Sequence, residues 1–181
     1  MALKSTVFKA SLSVADMDRN YYAEHGLTLA RHPSETDARM MVRLLAFALH
    51  ADERLEFGRG ISADDEPALW LKEYSGEVRL WIEVGLPDER LLRRASSRAS
   101  QVVLLAYGGR AMDAWWVKEG GAIGRLSNVR VLALDDETCA ALAALAQRTM
   151  QLQCSIQDGQ AWLTDGSRSV SIEPRWLTPR P

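Results

Sequence analysis

The sequence predicts a mixed α/β (α+β) fold with a mixed central sheet flanked by helices, an N-terminal hairpin and a C-terminal antiparallel meander. Apolar and polar side chains alternate over residues 8–14 and 152–156, which predicts antiparallel strands near both ends of the chain. Between them, short apolar runs alternate with helical patterns, which favours at least partly parallel pairing. The 181 residues are 47% hydrophobic and no linker or repeat divides them, so we expect residues 1–181 to form a single domain.

The N-terminal elements are a hairpin and a helix. The first strand alternates over residues 8–14, and a second strand from Tyr22 to Ala30 follows a polar turn. His32-Pro33 ends the hairpin, and Ser34 followed by Asp37 predicts a capping-box-like start for a helix that runs to about His50. Apolar side chains cover roughly two thirds of that helix, so we expect it to be buried on most sides.

The remaining elements follow from the same periodicities. The run from Arg79 to Val84 predicts a strand buried on both faces, and Pro87-Asp88-Glu89 supplies the acidic first turn of the next helix. In chain order we predict a strand at Leu55–Phe57, an extended piece at Ala68–Tyr74, the strand at Arg79–Val84, a helix to about Ala99, a strand at Val102–Tyr107, a helix containing Trp115-Trp116, a strand at Val129–Leu134, a helix from about Glu137 to Met150, and a three-stranded meander with turns at Asp158-Gly159 and Asp165-Gly166.

Composition and charge exclude several classes of protein. The formal net charge is -2, from 22 basic and 24 acidic residues, so contact with nucleic acid or an anionic membrane needs a local patch. Cys139 and Cys154 are too few and too far apart for a disulfide scaffold or a thiolate zinc site. The N-terminus lacks the apolar core of a signal peptide, and no apolar run approaches the roughly 20 residues that cross a bilayer. We therefore expect a soluble, cytoplasmic protein with no membrane partner.

Common nucleotide-binding and hydrolase motifs do not account for the chain. Residues 58–63 match G-x-G-x-x-A after a strand, but Asp64, Asp65 and Pro67 would sit early in the helix that should bind pyrophosphate. We therefore set a dinucleotide site aside. The chain has no P-loop and no G-x-S-x-G elbow, and its three histidines lack metal-ligand spacing.

Glu83 stands out because it places a carboxylate near the end of a strand that is otherwise apolar. Side chains alternate along a strand, so Glu83 shares a face with Trp81, at the edge where ligand crevices open in α/β sheets. An unpaired buried carboxylate is costly, so Glu83 needs an arginine, backbone donors or a cation. One interpretation is a structural ion pair with Arg39, Arg43 or Arg90.

A second group of carboxylates, Asp64-Asp65-Glu66, lies about one strand earlier and can reach Glu83 across neighbouring strands. Two ionised carboxylates about 4 Å apart repel each other by about 4 kcal/mol at an effective dielectric constant of 20. Hydrated Mg²⁺, or Mn²⁺ in its place, offsets that repulsion because such ions prefer oxygen ligands. The simpler interpretation is a solvated acidic turn.

Arginines recur at every fourth position of the helix that follows Glu83, at Arg90, Arg94 and Arg98. A metal-binding carboxylate pair beside such a ridge suits a phosphodiester, because the metal activates water and arginine forks hold phosphate oxygens. A ridge of charge alone is usually a solvated helix face. On the first helix, Glu35 and Arg39 have the i,i+4 spacing of an ordinary ion pair.

A family resemblance spans essentially the full chain. The chain resembles the YaeQ family of bacterial proteins in the segments TLARHPSE (28–35), ADERLEF (51–57), SADDEP (62–67), LWIEVGLPDER (80–90) and IQDG (156–159). The resemblance implies a restriction-endonuclease-like core similar to the PD-(D/E)XK nuclease superfamily, in which a helix precedes a small sheet that carries an acidic site. It does not imply an established activity.

The superfamily pattern implies roles for individual residues of this chain. Asp65, or its neighbour Asp64, resembles the first metal-binding acid, and Glu83 resembles the second. Glu35 resembles the additional glutamate that some members place on the first helix. The lysine expected two residues after Glu83 is replaced here by Gly85.

Three functions follow from these residues and the resemblance. The first is a metal-dependent nuclease or phosphodiesterase that acts on DNA or RNA, with Lys72, Arg90 or Arg94 in place of the missing lysine and Arg39, Arg90 or Arg94 on the phosphate. The alternative is a catalytically inactive nuclease-fold module that binds nucleic acid or a protein partner. The third is a docking protein that binds through Trp115-Trp116, although paired tryptophans on a helix more often belong to a core.

Overall fold

A computed structural model of the chain describes residues 4–59 and 65–179. In chain order its elements are β1 (Thr6–Asp16), β2 (Tyr21–Arg31), α1 (Asp37–Leu49), β3 (Leu55–Phe57), β4 (Leu69–Lys72), β5 (Val78–Val84), α2 (Glu89–Arg98), β6 (Ala99–Ala106), α3 (Arg110–Ile123), β7 (Val129–Ala133), α4 (Asp136–Ala144), β8 (Thr149–Gln157), β9 (Gln160–Thr164), β10 (Ser169–Ile172) and β11 (Arg175–Trp176). None of these helices is long and apolar enough to cross a membrane.

The described residues form two compact units. The first unit contains residues 4–51 and 137–174, and the second contains residues 52–59, 65–136 and 175–179. The chain therefore leaves the first unit after α1 and forms most of the second unit. It then returns to the first unit at residue 137, and β11 belongs to the second unit again. The single domain predicted for residues 1–181 stays a prediction.

The first unit is built on a five-stranded sheet in the order β10-β9-β8-β1-β2. The predicted N-terminal hairpin and C-terminal meander are confirmed, and the side chains at 8, 10, 12 and 14 are buried as their alternation predicts. Parallel pairing of β1 with β8, with Leu12 opposite Leu152, joins hairpin and meander into one sheet. Residues 40–48 of α1 are all buried, which confirms the predicted burial of that helix.

The second unit is built on a six-stranded sheet in the order β11-β7-β6-β5-β4-β3. Its central strands β5, β6 and β7 are parallel, and the flanking strands pair antiparallel, so the predicted mixed sheet with flanking helices is confirmed. One core joins α2 and α3 to one face of this sheet, through Leu92 and Met112 on the helices and Val102 and Leu104 on β6. Both crossover helices therefore cover the same face.

Two local predictions are wrong. The N-cap of α1 is Thr36, whose side chain accepts a hydrogen bond from the Arg39 N–H at 3.1 Å, whereas the Ser34 hydroxyl contacts His32 Nδ1 at 2.6 Å. The last helix ends at Ala144, well before Met150. Met150 lies opposite Ala10 in the pairing of β8 with β1, so its backbone belongs to a sheet and cannot continue the helix.

Candidate functional site

Glu83 lies on β5 and is half-buried. The indole N–H of Trp81 donates a hydrogen bond to Glu83 Oε1 at 2.9 Å. The two side chains lie on the same face because side chains alternate along a strand. The carboxylate in this apolar strand is therefore met by a polar donor two residues earlier, and that donor is itself almost completely buried.

Trp70 on β4 is the next aromatic residue of the same face. It stands directly opposite Trp81 in the antiparallel pairing, and the two rings meet edge to face at 5.9 Å between centroids. The ammonium nitrogen of Lys72 lies 3.6 Å from the centroid of the Trp70 ring. Since Lys72 is exposed and Trp70 is half-buried, this cation–π pair lies at the solvent boundary of the sheet face.

Arg98, the last residue of α2, connects this face to the segment that contains Asp65. Its guanidinium carbon lies 5.1 Å from the centroid of the Trp81 ring. Its Nη1 also donates a long hydrogen bond, 3.4 Å, to the backbone carbonyl of Asp65, whose side chain is exposed. The Asp65 segment and Glu83 are thus linked through one arginine and one tryptophan. Asp64, the alternative first acid, lies outside the described residues.

Glu66, the neighbouring acid of the same segment, forms an ion pair with Arg59. Glu66 accepts hydrogen bonds from the side chain and the backbone N–H of Arg59, at 2.8 and 2.9 Å. These bonds lower the pKa of the Glu66 carboxyl, and the positive charge of Lys72 contributes in the same direction. Gly58 is required here by close approach, because a Cβ at this position would lie 1.9 Å from the Pro67 carbonyl oxygen. That contact accounts for the first glycine of the G-x-G-x-x-A pattern without a nucleotide.

The three arginines of the predicted ridge do not all point to the same side of α2. Leu92 and Ala95 face the core, and Arg90 and Arg94 lie on the opposite, exposed side. Within the described part of the chain, neither of these two guanidinium groups has an ion pair or an aromatic contact. Arg98, one turn further along, is the member of the ridge that contacts the sheet face.

Glu35 and Arg39 lie in the first unit, where the predicted i,i+4 ion pair is present at 3.0 Å. Arg43 adds a two-pronged interaction, with its Nε and Nη2 each 2.8 Å from a different oxygen of Glu35. Its Nη2 also donates to the Ala30 carbonyl at 3.1 Å. The Glu35 and Arg43 side chains are only 2% and 5% exposed. Both oxygens of the predicted additional acid are therefore engaged by guanidinium groups.

Gly85 occupies the position at which the superfamily pattern carries lysine. Its φ is +102°, a backbone conformation that residues with a side chain rarely adopt, and its N–H donates to the Leu105 carbonyl at 3.0 Å. A lysine at this position would strain the turn that ends β5. The departure from the pattern therefore has a local structural cause.

The predicted tryptophan pair on α3 belongs to the core of the second unit. Trp115 and Trp116 are half-buried against that core, and Trp115 Nε1 donates to the Pro87 carbonyl at 2.6 Å. Val117 beside them is 87% exposed. The two rings are occupied by intramolecular packing, as is common for paired tryptophans on a helix.

The described residues do not form a cage of protein ligands for a metal ion. Among residues 4–59 and 65–179, no three His, Cys, Asp or Glu side chains are grouped so as to hold a metal ion. Mg²⁺ is usually held by one or two carboxylates together with waters and substrate phosphate oxygens. Asp65 and Glu83 match that smaller requirement in residue type.

Three contacts of the site were not predicted from the sequence. They are the contact of Trp70 with Trp81, of Lys72 with the Trp70 ring, and of Arg98 with the Trp81 ring. The i,i+2 spacing of Trp81 and Glu83 was the one local signal, because it places both side chains on one face. The position of Trp70 depends on the register between β4 and β5, which no short motif specifies.

Comparison with known proteins gives matches along the whole chain. The profile of a protein family described as "YaeQ protein" matches residues 1–174. The chain is 49% identical to an uncharacterised YaeQ protein of Salmonella typhi and 48% identical to that of Escherichia coli strain K12, each over 180 residues and 99% of both chains.

Two crystal structures are similar to this fold. A YaeQ protein from Xanthomonas axonopodis pv. citri superposes with a TM-score of 0.93 at 51% identity, covering 97% of this chain and 99% of that one. A YaeQ protein from Pseudomonas syringae gives a TM-score of 0.93 at 41% identity, covering 97% of both chains.

Proposed function

The chain belongs to the YaeQ family, and from that premise we propose that it hydrolyses phosphodiesters of DNA or RNA on the β4–β5 face with the help of Mg²⁺ or Mn²⁺. One observation carries the proposal: Arg98 contacts both the Asp65 carbonyl and the ring of Trp81, which in turn holds Glu83. The backbone of the acidic segment and the Trp81–Glu83 pair are thereby linked through one cation, Arg98. That combination suits a charged phosphate and a divalent ion.

Asp65 and Glu83 are the residues that would hold the ion. When bound, such an ion supplies an activated water and neutralises charge on the phosphate. The Trp81 indole N–H fixes the orientation of the Glu83 carboxylate by holding Oε1.

The basic residues bind and orient the phosphate backbone. Lys72 and Arg98 lie on the face itself, and Arg90 and Arg94 offer exposed charge along α2. Arginine stays protonated at neutral pH, so these guanidinium groups stabilise phosphate charge but cannot accept the proton of an attacking water. Lys72 is the titratable cation that this face offers in place of the missing lysine. The phosphate contact predicted for Arg39 stays a prediction.

A catalytically inactive binding module is the second candidate function. It is favoured by Gly85, whose positive φ suits glycine and which leaves the lysine position of the superfamily pattern without a side chain. In that case Lys72, Arg98 and the exposed arginines of α2 bind the phosphate backbone, and the acids serve as partners for cations.

Cleavage assays distinguish the two functions. Single-stranded, double-stranded and structured DNA and RNA are incubated with the protein in Mg²⁺, in Mn²⁺ and in EDTA. The proposal predicts metal-dependent cleavage that is lost in the variant carrying Asp65→Ala and Glu83→Ala. Binding of the same strands without cleavage under any metal condition supports the inactive module. Cleavage of equal rate in the double variant would contradict the assigned site.

A further inference from the structure

We propose that the nucleic acid bound at the β4–β5 face is single-stranded and that Trp70 is the platform on which one of its bases stacks. The inference rests on the proposed function, in which this face binds a phosphodiester backbone. It adds the class of substrate, which the carboxylates and arginines alone do not specify, because any polyanion satisfies them.

The position of Trp70 supports a stacking role. The ring is fixed at its base by the edge-to-face contact with Trp81, which is buried in the core of the unit. Its face is covered by the ammonium group of Lys72, 3.6 Å from the centroid, and Lys72 is exposed. One group that covers the face of the Trp70 ring is therefore a long, flexible side chain that can move away.

An exchange of partners follows from these contacts. A base that stacks on Trp70 displaces the ammonium group, which then lies beside the phosphate of the same nucleotide. Stacking of a base on an aromatic ring is stronger than an exposed cation–π contact, and the ammonium group gains a charged partner. Both changes favour the bound state, so Lys72 and Trp70 act together on one nucleotide.

The same geometry discriminates against a duplex. Bases in a double helix are already stacked on their neighbours and offer no free face to an indole. An exposed base of a single strand offers that face at no unpairing cost. Arg98, held over the ring of Trp81, provides the next positive charge for the backbone of the strand.

Three probes of equal length separate stacking from phosphate binding. They are a fluorescent single-stranded DNA, the same strand with every base replaced by an abasic linker, and the matching duplex. Fluorescence anisotropy is measured in Ca²⁺, which prevents turnover. The intact single strand is expected to bind about tenfold more tightly than the abasic strand, and the duplex is expected to bind no better than the abasic strand.

Variants assign the difference to one ring. Trp70→Ala is expected to abolish the difference, so that this variant binds the intact strand and the abasic strand with equal affinity. Trp70→Phe keeps an aromatic face and is expected to retain most of the difference, which excludes misfolding as the cause. Trp162, a half-buried strand tryptophan of the first unit, is the matched control, and Trp162→Ala is expected to change neither affinity.

The outcomes are distinguishable. Equal binding of intact and abasic strands by the native protein would overturn the stacking inference and leave the proposed phosphodiester site standing. The tightest binding by the duplex would also overturn it. If none of the three probes binds, whether made as DNA or as RNA, the proposed function fails and the inference fails with it.

Discussion

Replacing Glu35 by alanine is expected to lower the free energy of unfolding by about 3–5 kcal/mol, because the change removes the carboxylate that pairs with a buried guanidinium group. Arg43 is 5% exposed and makes two 2.8 Å hydrogen bonds to Glu35, so bulk water has little access to its guanidinium group. The variant therefore loses more than the pair itself contributes.

Urea unfolding of a second variant separates these contributions. The variant with Glu35→Leu and Arg43→Met buries no charge, so it is expected to be more stable than Glu35→Ala alone. Asp37 is the matched control, because it forms an exposed ion pair with Arg31, and Asp37→Ala is expected to cost less than about 1 kcal/mol. A loss below about 1 kcal/mol for Glu35→Ala would refute the reasoning. The reasoning would also be refuted if Mn²⁺ raised the melting temperature of the native protein and of Asp37→Ala but not that of Glu35→Ala, since Glu35 would then be a metal ligand.

Three further outcomes are expected. Gly85→Lys should lower the free energy of unfolding in urea by about 1–3 kcal/mol through its positive φ, without increasing any cleavage; Gly85→Ala serves as its control. Burial lowers the pKa of His50 from 6.5 to about 4, so the unfolded chain binds the extra proton, and stability should fall by up to about 3 kcal/mol as pH drops from 6.5 to 4. His50→Gln should remove that slope. Burial raises the pKa of Cys154 to about 12, and Cys139 is buried too, so Ellman's reagent should label neither thiol at pH 8 until urea unfolds the protein.

Periodicity predicted most elements because each half-buried strand or helix repeats its apolar residues at its own spacing. The alternation at 8–14 predicted the buried face of β1, and the apolar run at 79–84 predicted a central strand. Periodicity does not specify long-range pairing. The parallel pairing of β1 with β8 joins distant segments, from Lys9 opposite Thr149 to Asp16 opposite Ile156. Because residues from Thr149 onward belong to this pairing, the last helix ends earlier than predicted.

The site was partly predictable for the same reason. A carboxylate in an apolar strand is costly, so Glu83 could be singled out from the sequence alone. The role of Arg98 depended on the rotation of α2 at its last residue, which differs from that of Arg90 and Arg94. The contact between Trp70 and Trp81 depended on strand register. Short motifs encode neither the rotation of a helix nor the register between two strands.

Calorimetric titration of Mn²⁺ in the presence of a single-stranded oligonucleotide tests the central claim most directly. The account predicts binding of Mn²⁺ that is strengthened by the oligonucleotide, since phosphate oxygens complete the ligand set, and that is lost in the variant with Asp65→Ala and Glu83→Ala. Absence of Mn²⁺ binding by the native protein with the strand present, or an unchanged affinity in the double variant, would contradict it.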